Sequence, residues 1–354
     1  MFQIEMLPAR EGDCLLLTYG QPGHERRVLI DGGRAATYAD LKTRLSRLSD
    51  KEREFELLIV THVDRDHIEG VLKLLQDPAR PVAFRDIWFN GYDHLNNVPL
   101  ERFGAVQGEK LTTAILTQRL PWNKTFGGRA VEIDPGFKPI ELEGGLKLTV
   151  LSPDRQKLEA LIPQWEKECE AADLIPGVEP VPPPEIPPGF EAFGGIKIDD
   201  LAAEKFETDH SKANGSSIAL LAEYDGKRVL LAGDAHADLL ENSLQSLAAP
   251  EGGRLRLDAV KVSHHGSAYN TSQQVLDLIS CPAYLVSTNG STFRHPDKTA
   301  IARLISFGGA AKELVFNYST NETLLWNNRT WMRKHGYMTR YPSANENGFN
   351  VLNL

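Results

Sequence analysis

Cysteine is scarce in this 354-residue chain, and the three present, Cys14, Cys169 and Cys281, stand far apart. An odd, dispersed set implies neither a disulfide framework nor a cysteine-based zinc knuckle. Positive charge is also in deficit. With 39 lysines and arginines against 48 aspartates and glutamates, the formal net charge is −9, which argues against coating nucleic acid through bulk electrostatics. No apolar run approaches the roughly 18 residues that a membrane helix needs. The start, Met1-Phe2-Gln3-Ile4-Glu5-Met6, lacks the basic and apolar regions of an export signal. The expectation is a cytosolic protein that engages no membrane. Its 41% hydrophobic and 25% charged residues are ordinary for a globular chain, and its length suits one domain, 1–354, with an insertion over 153–209.

Against these absences stands Thr61-His62-Val63-Asp64-Arg65-Asp66-His67, between the apolar run Phe55–Val60 and the helical pattern Ile68–Leu75. A buried strand is expected to end here and a helix to begin, so two imidazoles and two carboxylates share one turn at the carboxyl end of a strand. That is a cluster suited to cations. Read alone, the same stretch is also a polar loop in which Asp64 or Asp66 caps the helix.

Other strand ends carry compatible residues. Cys14–Tyr19 and Arg27–Ile30 predict a hairpin that delivers Asp31-Gly32-Gly33, where Asp31 is placed to hydrogen-bond a metal-ligating histidine. Tyr38 to about Ser49 has helical spacing and supplies the crossover to Leu57–Val60. Ile87–Phe89 reads as a strand, and His94 beyond it is either a pocket residue or a solvated loop histidine. Residues 112–152 are expected to hold two short strands, one of them Leu146–Leu151. A helix over about Arg155–Ala171 then runs into Ile175–Gly189, too proline-rich for helix or inner strand, which reads as an acidic excursion that docks a protein partner or is simply solvated.

Downstream, Asp225-Gly226 between Ser217–Tyr224 and Arg228–Ala232 predicts a hairpin whose exit carries Gly233-Asp234. Leu257–Val262 ends in Ser263-His264-His265-Gly266-Ser267. Neighbouring strand residues face opposite ways, so His265 is expected to ligate while His264 faces substrate. Tyr284–Ser287 reads as the last clear strand before Arg294-His295-Pro296, with a helix and a short closing β segment after Thr299.

His62-x-Asp64-x-Asp66-His67 resembles the metal-binding signature of the metallo-β-lactamase superfamily, in the variant where aspartate replaces the usual second histidine. In that variant it looks like the nuclease domain of the ComEC family of DNA-uptake proteins. Further landmarks follow in order: Gly12-Asp13-Cys14 with Leu29–Gly33, Asn214–Ile218, Leu231–Ala235, Lys261–Ser267 and Arg294-His295-Pro296. The match spans nearly the whole chain except about Pro153–Asp209, and no transmembrane channel domain accompanies it.

The resemblance implies a four-layer αββα metallo-β-lactamase sandwich, here with a proline-rich insertion, holding one or two ions of Zn²⁺ or Mn²⁺. It assigns Asp66 and His67, one histidine of the adjacent pair and the bridging Asp234 to one complete site. His62 and Asp64 go to a second, where Asn214 occupies the position of the family's asparagine. Poorer in imidazole and richer in oxygen, the second site is expected to be weaker and to tolerate Mn²⁺. The ligands would be His62, Asp64, Asp66, His67, Asp234 and His265. Asp66, His264 and His295 are the catalytic candidates, with Arg294 as phosphate clamp.

Three functions compete. A metal-dependent phosphodiesterase or nuclease, acting on nucleic acid or a nucleotide, leads. Hydrolysis of another ester or amide, such as a phosphocholine ester, lactone or β-lactam, uses the same scaffold. A metal-bearing, partner-binding component without catalysis is the third. In the nuclease reading, the carboxyl-terminal stretch Asn327–Tyr341 offers Arg329, Arg333, Lys334 and Arg340 to phosphates and Trp331, Tyr337 and Tyr341 to bases. The competing expectation is that these aromatics belong to the core.

Overall fold

The computed structural model describes residues 1–96, 106–173, 196–343 and 346–354; the proline-rich stretch Ile175–Gly189 lies outside them. Two sheets carry the architecture. The first is built from β1 (Phe2–Met6), β2 (Leu15–Tyr19), β3 (Arg26–Ile30), β4 (Leu57–Ile59) and β5 (Ile87–Trp88). The second holds β6 (Ile140–Glu141), β7 (Lys147–Ser152), β8 (Ala219–Tyr224), β9 (Lys227–Leu231), β10 (Ala259–Lys261), β11 (Ala283–Val286), β12 (Lys312–Phe316) and β13 (Tyr337–Arg340). The last strand, β14 (Asn350–Asn353), returns to pair with β1, giving the orders β14-β1-β2-β3-β4-β5 and β13-β12-β11-β10-β9-β8-β7-β6.

Side-chain alternation turns these sheets into layers. Leu15 and Leu17 of β2, Val28 and Ile30 of β3, and Leu57 and Ile59 of β4 face Leu220 of β8, Val229 and Leu231 of β9 and Leu285 of β11 in a core between the sheets. The intervening Leu16, Leu29 and Leu58 face outward onto α1 (Tyr38–Ser46) and α2 (Arg65–Gln76). In the other sheet Leu221 and Leu230 face α5 (Ala237–Ala248) and α6 (Lys298–Phe307). Strands buried on both faces need apolar residues at every position, which is why these segments read as runs and not as alternation. The result is the αββα sandwich implied by the sequence. Among the described residues no helix is long and apolar enough to cross a membrane.

Three regions differ from expectation. Val106–Thr117 is helical (α3), with Leu111, Ala114 and Ile115 buried at helical spacing, and the strands expected within 112–152 begin only at Ile140. Gly108 in this helix allows contact with the helix α4 (Arg155–Asp173), since a Cβ there would lie 2.6 Å from the Trp165 ring. Tyr284–Ser287 is the last strand before Arg294-His295-Pro296 as expected, but three strands, β12, β13 and β14, follow Thr299 in place of one short closing segment. The short run Leu314-Val315-Phe316 gave little periodicity from which to read β12.

The third difference concerns the basic and aromatic tail. Arg329–His335 is a helix (α7), and its aromatic neighbours are committed inward. Tyr337 is buried and donates to Trp326 O at 3.0 Å. Tyr341 stacks on Phe316, 5.3 Å between centroids, and donates to Thr323 O at 2.8 Å. Trp331 packs 6.1 Å from Trp326. Tyr337 thus belongs to the core, while Trp331 and Tyr341 pack against it and stay partly exposed.

Candidate metal centre

The carboxyl ends of β3, β4, β9, β10 and β11 deliver the loops that meet in one place. After β4, the chain turns through Thr61–Asp64 and enters α2, with Asp64 at the capping position. Its side chain makes no capping hydrogen bond. This leaves the carboxylate free for another role. The loop is pressed onto the turn after β1, where a Cβ at Gly12 would meet Asp66 O at 1.7 Å, so no side chain fits there.

Each of four histidines is anchored through Nδ1. His67 Nδ1 bonds Asp31 Oδ2 at 2.8 Å, and Asp31 is itself fixed by the backbone N–H and hydroxyl of Thr61, at 2.8 and 2.7 Å. His62 Nδ1 lies 3.0 Å from the same hydroxyl, which has given its proton to Asp31 and therefore accepts. His265 Nδ1 reaches Ser287 O at 3.0 Å, and His264 Nδ1 reaches Asn270 Oδ1 at 2.8 Å. Four acceptors on Nδ1 place the proton there and leave four Nε2 lone pairs for the centre.

All four converge on Asp234 Oδ2, at 3.3 Å from His67, 3.4 Å from His265 and 3.9 Å from both His62 and His264. Asp66 Oδ2 stands 3.4 Å from His265 Nε2 and 3.9 Å from His67 Nε2. On the other side Asp64 Oδ2 is 3.5 Å from His62 Nε2. The geometry thus sets Asp66 beside His67 and His265 and Asp64 beside His62, with Asp234 common to both, while His264 approaches Asp234 alone.

The donors fit divalent ions. His67 Nε2 and His265 Nε2 sit 3.2 Å apart, and with both rings protonated only on Nδ1 their lone pairs would meet face to face, so a proton or a metal ion is needed between them. Buried His62 Nε2, Asp234 Oδ1 and Asn214 Oδ1 have no hydrogen-bond partner among the described residues. Such an arrangement is unfavourable without positive charge between its members. Burial alone would lower the histidine pKa values, but Asp234 and Asp31 raise His67 well above its usual range, and Asp234 and Asp13 do the same to His265. Burial likewise opposes ionisation of Asp234, yet His265 and His67 hold it well below the carboxylate range. The centre demands cations, and protons or metal ions can satisfy it.

The adjacent histidines correct one expectation. His264 and His265 have φ of 46° and 55°, so they are not alternating strand residues, and both rings turn toward Asp234. His264 therefore adds an imidazole beside Asp234, where the sequence expectation had it facing substrate. Asn214 lies behind His264: its Nδ2 donates to Asp209 Oδ2 at 2.7 Å and sits 3.4 Å from His264 Nδ1.

His295 stands beside the centre, its ring 5.3 Å from that of His264 and its Nδ1 3.3 Å from Asp297 Oδ1. Arg294 is exposed. His94 is buried elsewhere, edge-on to Trp122 at 4.5 Å and accepting from Gly91 N, and burial lowers its pKa to about 4. It is a packing residue.

Sequence reasoning missed the braces. Asp13 and Lys261 form a fully buried pair at 2.6 Å, and Asp13 Oδ1 lies 3.4 Å from His265 Nδ1. One donor atom each from Asp13, His67, Asp234 and His265 lie within 4.8 Å of one another. Lys261 already claims the Asp13 carboxylate, and it faces the anchored nitrogen of His265, so Asp13 supports the ligand from behind. Burial would raise the Asp13 pKa, but Lys261 and His265 bring it down to about 2. Gly12-Asp13 stood among the motif residues without a role. Asp209 and Asn270, which surround His264, had no sequence signal at all.

No family model matches this chain, and no curated protein matches it by sequence. Among solved structures it is similar to the metallo-beta-lactamase fold protein YhfI from Bacillus subtilis, at 10% identity over 100% of both chains with a TM-score of 0.42. It is also similar to Zn(2+)-bound PqqB from Methylobacterium extorquens, at 12% identity over 100% of both chains with a TM-score of 0.45. A mutant of the CmlA beta-hydroxylase matches at 13% identity and a TM-score of 0.43; all of this chain is covered, spanning 54% of that one. The case for a metal centre rests on the distances above.

Proposed function

We propose that the protein is a metal-dependent hydrolase of phosphodiesters, in nucleic acid or a nucleotide, working with Zn²⁺ or Mn²⁺. The observation that carries this reading is the convergence of four imidazole Nε2 atoms on Asp234 Oδ2, with Asp66 beside those of His67 and His265 and Asp64 beside that of His62. Divalent ions held there would acidify water toward neutral pKa and stabilise charge developing on phosphate oxygens. His62, Asp64 and His264 would hold one ion, Asp66, His67 and His265 the other, and Asp234 would join them. Asp31, Asp13 and Asn270 keep the imidazoles aimed. Asp297 holds His295 by Nδ1, so that the doubly protonated ring would donate from Nε2 to the leaving oxygen, and the exposed Arg294 pairs with a phosphate oxygen.

The test is incubation of labelled DNA, labelled RNA, bis(p-nitrophenyl) phosphate and nitrocefin with the wild type and with Asp66→Ala, in Mn²⁺ and in Zn²⁺. Phosphodiester cleavage that disappears in the variant is expected. Cleavage of nitrocefin with no phosphodiester cleaved sinks the reading in favour of another ester or amide, and cleavage of nothing leaves a binding component.

A further inference from the structure

The metal loop carries one residue that the centre does not use. Arg65 stands between Asp64 and Asp66 with its side chain 40% exposed, and its Nε donates to Glu69 Oε1 at 2.6 Å. Glu69 Oε2 accepts from Ala35 N at 3.1 Å and lies 3.5 Å from Arg34 Nε. The same Arg34 Nε is 3.4 Å from Glu11 Oε1. Glu11 in turn accepts from the hydroxyls of Ser291 and Thr292, each at 3.2 Å, on the turn that leads to Arg294 and His295. A line of alternating charge, Arg65, Glu69, Arg34, Glu11, therefore runs from the metal loop to the loop of the proposed proton donor. The glutamates are its buried side and the arginines its open side.

How the guanidinium groups are held points to a ligand. Arg65 and Arg34 approach their glutamates through Nε, and neither donates a hydrogen bond through a terminal nitrogen to a described residue. Arg44 and Arg340 differ: each also spends Nη2 on its carboxylate, on Glu5 at 2.6 Å and on Glu313 at 2.5 Å. A guanidinium fixed at Nε with its terminal groups open is already oriented for an oxyanion. Arg10, exposed and with no ion pair among the described residues, precedes Glu11 in the chain, and its carbonyl accepts from Asn289 N at 2.8 Å.

We propose that Arg34 and Arg65 bind phosphates that flank the scissile one, so that the substrate is a polynucleotide strand and not a nucleotide with a single phosphodiester. This rests on the phosphodiesterase reading above. It gives an acidic chain a local cationic path, and on a different face of the sequence from the tail, whose aromatics are packed inward.

The experiment is fluorescence anisotropy of a labelled single-stranded oligonucleotide in chelator, where no turnover occurs, across a salt series. The wild type is compared with Arg34→Gln/Arg65→Gln and with Arg333→Gln/Lys334→Gln on the tail. The first pair is expected to weaken binding about tenfold or more and to reduce the slope of log affinity against log salt by roughly 1.4, about 0.7 per lost phosphate contact. The tail pair should change neither. Unchanged binding in the first pair, or equal losses in both, overturns the proposal. Arg65→Gln alone, at an exposed position, keeps the test open if the double variant unfolds: it should lose about 0.7 of slope, and an unaltered slope overturns the path. A wild type that hydrolyses bis(p-nitrophenyl) phosphate but binds no strand overturns the path while the phosphodiesterase reading stands. Strand binding through these arginines without hydrolysis of any phosphodiester supports the path and sinks that reading.

Discussion

The two halves of the centre share one oxygen of Asp234 but are built of different material. In the Asp66 half, His67 and His265 are fully buried; His67 bonds the Asp31 carboxylate, and His265 bonds Ser287 O with the carboxylate of the Asp13–Lys261 pair 3.4 Å from the same nitrogen. In the Asp64 half, His62 is equally buried but bonds the Thr61 hydroxyl, His264 bonds the Asn270 amide with Asp209 Oδ2 3.5 Å from the same nitrogen, and the site is more open: Asp64 is 44% exposed and His264 22%, against 16% for Asp66 and 2% for His265. A carboxylate brace makes an imidazole a better donor and fixes its orientation, and burial removes competing water. Ligand count does not distinguish the halves. Their support does.

The largest effect should come from the atom that erases the comparison. Asp234→Ala removes the shared ligand, and hydrolysis is expected to fall at least about a thousandfold, beyond what loss of a single stabilising donor brings. The melting temperature should stay near the wild type's, because the acid sits at a strand end surrounded by imidazoles that can become neutral. Steady-state rates with a thermal melt of the same sample decide it. Undiminished turnover in a folded variant removes Asp234 from the role of common ligand.

Next in size is the brace that the Asp64 half lacks. Asp13→Ala leaves the Lys261 ammonium buried without its counter-charge, at a cost of about 3–5 kcal/mol, whereas Asp64→Ala on the open side should cost stability little. Denaturant melts compare the two directly, and equal losses erase the distinction. The acid limb of the stability profile has the same origin. Asp13 titrates at about 2 in the fold, below the ordinary carboxylate value near 3.9, so its contribution is complete above that value and is lost as pH falls toward 2.

What was legible in the sequence does not follow the same division. One heptapeptide on a strand end carries ligands of both halves, His62 and Asp64 with Asp66 and His67, and Asp31 follows the apolar Val28-Leu29-Ile30, so local pattern located all five. The sandwich was legible for the same reason: Leu15-Leu16-Leu17 can be buried on both faces only between a second sheet and a helix layer. Asp13 and Lys261 are 248 positions apart, a pairing that local pattern cannot show. The reversal of His264 depends on two successive left-handed residues, which only the packed turn imposes. Helix α3 was missed because Gly108 and three threonines dilute its apolar face.

A third experiment sharpens the contrast between kinds of brace. Asp31→Ala should lower the affinity of the first ion about 10- to 100-fold, the usual range for removing a carboxylate behind a ligating histidine. Asn270→Ala should weaken the second ion less, by only a few-fold, since a neutral acceptor polarises His264 less than a carboxylate polarises His67. Equilibrium dialysis with elemental analysis measures both, and a greater loss from Asn270→Ala contradicts the ranking.

The smallest expected difference is between the two affinities in the unmodified protein. On metal titration the Asp66/His67/His265 half should fill first, and the Asp64/His62/His264 half should follow more weakly and exchange readily with added Mn²⁺. The order now follows from exposure and bracing instead of from a missing imidazole. Uptake of the first ion should also release protons. His67 and His265 hold theirs to well above the usual histidine range in the metal-free site, so at neutral pH an incoming cation must displace them, and affinity must fall as pH falls. Calorimetric titration in two buffers of different ionisation enthalpy reads that release. Two ions of equal affinity, retained together through chelator dialysis and bound without proton release, would show that the neutral braces hold their histidines as firmly as the carboxylates do.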